Sequence, residues 1–143
     1  MYKRILAAID ATPNEAEVLA QTIQLARLTG ATVQVLHVAL DHIGTGDILG
    51  GSAATDDVDP REVTVVQDAL AQLREAGVTA AGELMTAPEH DIAAAIVERA
   101  KTLDVQLIVL GRTLHRGVSK LFRASVAEQV IHQHPSASIL LVP

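Results

Sequence analysis

The sequence contains no cysteine and no tryptophan, and its aromatic residues are limited to Tyr2 and Phe122. Without thiols there can be no disulfide, no cysteine-zinc site, no dithiol redox motif and no thiol nucleophile. Without aromatic platforms a single-stranded nucleic acid has little to stack on. A formal charge of −6 at pH 7 argues further against nucleic acid, because neutralising phosphates takes a broad basic face. No run approaches the roughly 18 apolar residues of a membrane span. The first apolar stretch is about six residues long and meets Asp10, too short for a secretory signal. A soluble, cytoplasmic protein with neither nucleic-acid nor membrane partners is therefore the expectation.

What is present is aliphatic. Apolar residues make up 49% of a 143-residue chain, enough for one domain over 1–143 with a sizeable core. Short apolar runs alternate with longer amphipathic ones. Residues 4–9 (RILAAI) read as a strand buried on both faces. Thr12-Pro13-Asn14-Glu15 then reads as a helix start, with Thr12 as N-cap, Pro13 in the first helical position and Glu15 closing a capping box. Val18, Leu19, Ile23, Leu25 and Ala26 form that helix's apolar side, and Gly30 ends it. Further strands are expected at 32–38, 78–85, 105–110 and 138–142. Helices are expected from Asp59-Pro60-Arg61-Glu62 to Gly77, over 88–102 and over 125–134. Residues 41–59, rich in glycine and aspartate, suit a lid or an unordered segment.

Strands separated by helices imply parallel pairing through right-handed crossovers. The expected fold is α/β and Rossmann-like: three layers, with a five-stranded, mostly parallel sheet between helices on both faces. Ligands in such folds sit beyond the strands' carboxyl ends, where the strand order reverses.

Two places there carry candidate chemistry. Asp10 ends the first strand. It either complements a helix N-terminus or accepts a hydrogen bond from a ribose hydroxyl. The segment LGRTLHRGVSKLFRAS, from Leu110 to Ser125, follows the fourth strand. It holds Gly111, Gly117, Arg112, Arg116, Lys120, Arg123 and His115 with no acidic residue, a local positive field before a helix start. Its bland reading is a solvated loop; its sharper reading is an anion site. Ser125-Val126-Ala127-Glu128 is a capping box, and Ser125 could also offer its hydroxyl to phosphate.

Other motifs fail. Gly44, Gly46 and Gly50 have the wrong spacing for a dinucleotide fingerprint. His42-Ile43-Gly44-Thr45 follows the wrong strand for an adenylate-forming signature and lacks its second histidine. His132 and His134, two apart, would face different sides of a helix. His37, within an apolar strand, reads as a satisfied core histidine. There is no nucleophile elbow and no metal-ligand cluster.

The IDAT at the end of strand one, the LHV of strand two, and IVLGRTLHRGVSKLFRASVAEQVI running into SILLV together resemble the universal stress protein family over essentially the whole chain. The resemblance implies an adenine nucleotide alpha hydrolase-like fold and a homodimer through the last strand, Ile139 to Val142. That strand would otherwise be an exposed edge. It also implies ATP, with Asp10 at the ribose or adenine and the Val38 backbone at the adenine edge; Mg²⁺ would accompany the ATP because the site offers few fixed cations. The resemblance carries over to Leu110, Gly111, Ser125 and Val126 as nucleotide-binding positions, with Arg112, Arg116 and Gly117 in the same loop. ATP-binding members are similar in carrying Gly-x-x-Gly-x9-Gly-Ser/Thr. Here Gly111 and Ser125 match, while Leu114 and Ala124 replace the second and third glycines and crowd the closest phosphate approach. The expected function is regulatory nucleotide binding without a catalytic site. Its alternatives are a dimeric interaction module with a vestigial loop and an unidentified protein partner, or a slow ATPase with Asp10 as base.

Overall fold

The computed structural model describes residues 1–40, 59–112 and 125–143. The elements are β1 (Arg4–Ile9), α1 (Glu15–Thr29), β2 (Thr32–Leu40), α2 (Pro60–Glu75), β3 (Ala80–Ala87), a 3₁₀ turn (Glu89–Asp91), α3 (Ile92–Thr102), β4 (Leu107–Gly111), α4 (Val126–His132) and β5 (Ser138–Val142). The strands lie in the order β3-β2-β1-β4-β5, and every pairing is parallel. This is the expected α/β sheet.

Strand alternation divides the core into two halves. Ile5, Ala7 and Ile9 of β1 and Val33 and Val35 of β2 pack with Val18, Leu19 and Ala26 of α1 and with Val66, Ala69 and Leu73 of α2. Leu6, Leu36, Ile108 and Leu110 pack on the other side with Ala93, Ile96 and Ala100 of α3 and Ala127 and Val130 of α4. Gly82 lets α2 approach the edge strand β3. A methyl there would lie 2.6 Å from Val66 Cγ1 and 2.8 Å from Leu70 Cδ1.

Several boundaries differ from those expected, each for a local reason. Val78 and Val105 are buried but precede their strands. Their N–H groups turn back to the helix exits, onto Leu73 O at 3.0 Å and Ala100 O at 3.1 Å. β2 and β3 run on to the pair Leu40–Ala87. The last helix ends at His132, and His134 stands outside it at φ 50°, so the two histidines do not share a helix. Thr12 is not the N-cap of α1. Its hydroxyl donates to Asp10 Oδ1 at 2.5 Å, and the helix begins at Glu15 after an uncapped Asn14. An aspartate two residues upstream captures the hydroxyl that would have capped. Asp59 does cap α2, accepting from Arg61 N at 2.9 Å, and Gly30 closes α1 at φ 73°.

Candidate functional site

β1 has β2 on one side and β4 on the other. α1, which follows β1, lies on one face of the sheet, while α4, the next helix after β4, lies on the opposite face. The connections therefore part at the carboxyl ends of β1 and β4, leaving a crevice of the kind that holds ligands in open parallel sheets.

Asp10 follows β1 directly. Its Oδ1 accepts from the Thr12 hydroxyl and from Thr12 N at 3.2 Å, closing a short turn that points the carboxylate back at its own chain. Both bonds fall on Oδ1, so the carboxylate keeps acceptor capacity. Gly111 ends β4, and its small size has a packing cause. A methyl would come 2.7 Å from Asn14 Nδ2 and 3.2 Å from Val18 Cγ2. Asn14 Nδ2 in turn donates to Val142 O at 3.1 Å, and Arg112 N donates to the same carbonyl at 2.7 Å. One carbonyl thus fastens the start of α1, the exit of β4 and the end of β5.

Ser125 caps α4 in an extended conformation, accepting from Glu128 N at 3.1 Å. Because the hydroxyl accepts there, its hydrogen is available to a further acceptor. Val126 opens the helix, Leu110 is buried, Val38 is half-buried and Arg112 is exposed. Arg116 and Gly117, with Leu114, Ala124, His115, Lys120 and Arg123, lie outside the described residues, as do residues 41–58. Of the expected site residues, the fold brings Asp10 and Gly111 to neighbouring strand ends.

The α1/α2 side of the crevice is acidic. Glu15 and Asp68 line a groove of about 290 Å³ between α1 and α2, together with Thr12, Leu19, Val65 and Gln72. Burial pushes the Glu15 carboxyl above its usual range; repulsion from Asp10 and Asp68 adds to this, and His37 acts against it. A phosphate on that side would meet like charge. Among the described residues no three His, Asp or Glu side chains converge as metal ligands.

His37 is the core histidine its apolar strand predicts, and it is fully engaged. Its Nδ1 lies 2.8 Å from Ile9 O, and its Nε2 meets Glu62 Oε2 in the first turn of α2. Sequence reasoning missed Glu62 and Asn14 as partners. Each reads locally as a helix-start residue, and only the sheet order brings it to its contact.

A model of the universal stress protein family matches residues 1–143. The chain is 30% identical over 135 residues to universal stress protein A homolog 1 of Coxiella burnetii, covering 92% of this chain and 90% of that protein. It is similar to the structure of a universal stress protein from Archaeoglobus fulgidus in complex with dAMP, at 26% identity and TM-score 0.70, covering 99% of this chain and 98% of that one. A universal stress protein in complex with cAMP shares the fold at TM-score 0.73 and 14% identity, over 99% and 96% of the two chains. No helix among the described residues is long and apolar enough to cross a membrane. The sheet order, the switch-point crevice and a match over its whole length make this chain a member of the universal stress protein family.

Proposed function

We propose that the chain is a cytoplasmic regulatory protein that binds an adenine nucleotide, ATP with Mg²⁺, at the β1/β4 switch point. The observation that carries this reading is the parting of the connections there, with Asp10 following one strand and Gly111 ending the other. Relatives found in complex with dAMP and cAMP support the adenine class. In this reading Asp10 takes the ribose through the acceptor capacity that Thr12 leaves, and the Val38 backbone meets the adenine edge. The phosphates lie toward Gly111, Arg112, Ser125 and Val126, with Arg116 and Gly117 in the same loop, away from Glu15 and Asp68. The Ser125 hydroxyl suits a phosphate because it can donate while still capping α4. Mg²⁺ arrives on the phosphates. No residue is assigned a catalytic role.

Calorimetric titration with ATP, with and without Mg²⁺, tests this. A dissociation constant below about 1 mM is expected. Asp10→Ala should weaken it about tenfold, the scale of one hydrogen bond to a charged group. Leu114→Gly combined with Ala124→Gly should tighten it by relieving the crowded approach. No heat and no melting shift at millimolar nucleotide would overturn the reading. Phosphate release that survives Asp10→Ala would argue against Asp10 as the base of a slow ATPase.

A second reading, a dimeric interaction module without nucleotide, is favoured by the structural tasks of two site residues. Asp10 holds Thr12, and Gly111 makes room for Asn14 and Val18. Either residue could be retained for packing alone.

A further inference from the structure

The His37 ring joins three elements at the last rung of β1 and β2, where Ile9 pairs with His37. Its proton inventory follows from its partners. Ile9 O can only accept, so Nδ1 carries a hydrogen. Nε2 then meets Glu62 Oε2, and that contact needs one further proton, held on the imidazole or on the carboxyl. The ring is buried, at 5% exposure, while the Glu62 side chain is 33% exposed. Solvent therefore reaches the bridge from the α2 side.

We propose that His37 and Glu62 form a proton-dependent latch, which holds the first turn of α2 against the end of β1 and opens when the shared proton leaves. Once it is lost, a bare nitrogen lone pair faces a carboxylate, and attraction becomes repulsion. The neighbouring ionisable groups are Asp10 after β1 and Glu15 on α1, with Asp68 farther along α2 near Glu15. Arg61, next to Glu62 in the first turn of α2, is held by Asp59 at 3.1 Å. On β3, Glu83 is the register partner of Leu36 and so lies on the other face of the sheet, bound to Arg99 of α3 at 2.5 Å. Ile9 and His37 immediately precede Asp10 and Val38, so the latch sits beneath the crevice rim and ties that rim to α2. It stands whether or not the crevice takes a nucleotide.

The test uses the intact chain and needs no ligand. Imidazole nitrogen shifts of His37 and amide exchange in the first turn of α2 are followed from about pH 5 to about pH 10, in wild type, Glu62→Gln and Glu62→Ala. In wild type, Nε2 should lose its proton as pH rises while Nδ1 keeps its own. Amide protection in the first turn of α2 should then fall about tenfold, the scale of one charge-assisted hydrogen bond. Glu62→Gln should hold its protection through the same range, because the glutamine amide donates to the bare Nε2. Glu62→Ala should show the lowered protection at every pH. A ring that carries its neutral-state proton on Nε2, a ring unchanged over the range, or Glu62→Ala as protected as wild type would each overturn the latch.

Discussion

An alanine at position 111 would drive its methyl to 2.7 Å from Asn14 Nδ2 and expel the amide from Val142 O. We expect Gly111→Ala to cost about 1–2 kcal/mol, from the lost hydrogen bond and the pressure on Val18. In an Asn14→Ala background its added cost should shrink, a coupling that a double-mutant melting cycle measures. If the glycine served only a phosphate, the substitution would leave the melting temperature of the free protein unchanged. Glu15 gives a second prediction at this scale. Its carboxyl is held above the usual range, so ionising it works against folding, and stability falls as pH rises through its titration. Glu15→Gln should therefore stabilise the protein at neutral pH, by no more than ~0.5 kcal/mol for a partly solvated like-charge cluster. The gain should vanish in acid, where Glu15 is itself neutral. A pH series of melting curves for both proteins reads this directly.

α4 spans seven residues, short enough for its cap to matter. Ser125→Ala should cost about 1 kcal/mol, whereas Ser125→Asp keeps a capping oxygen and adds a charge favourable to the helix N-terminus. If Ser125 also meets phosphate, the aspartate variant should melt near wild type yet bind ATP markedly less. Equal nucleotide affinity in the two proteins would confine Ser125 to capping. At this scale the sequence was most legible where one signal acted alone. Apolar runs placed β1 and β5, and Asp59-Pro60 and Ser125 announced the starts of α2 and α4. It was least legible where two local groups competed or a partner lay far along the chain. Asp10 took the hydroxyl expected to cap α1, and the buried Val78 and Val105 belonged to helix exits. Gly111 carries the same letter for a phosphate contact as for the packing of Asn14, and His37 gave no hint that its partner lay 25 residues on.

At the scale of the molecule, β5 closes one side of the sheet and pairs with β4. Its Ile139, Leu140 and Leu141 stay only half-buried, an apolar edge from which we propose pairing with a second copy. Sedimentation should give the mass of two chains, and Ile139→Lys should weaken association at least about tenfold while the monomer remains folded by circular dichroism. A wild-type protein sedimenting as one chain at high concentration would rule out the edge-paired dimer. The fastening at the Val142 carbonyl also bears on how the protein is handled. The carboxyl end of β5 stands level with that of β4, because Gly111 and Val142 are register partners. A tag or fusion partner joined after Pro143 would emerge at the rim of the crevice, pulling on the carbonyl that holds α1 and the β4 exit. The same addition before Met1 emerges at the opposite end of the parallel sheet. Nucleotide titrations on proteins tagged at the two ends should therefore disagree, and the N-terminal version reports the unperturbed site.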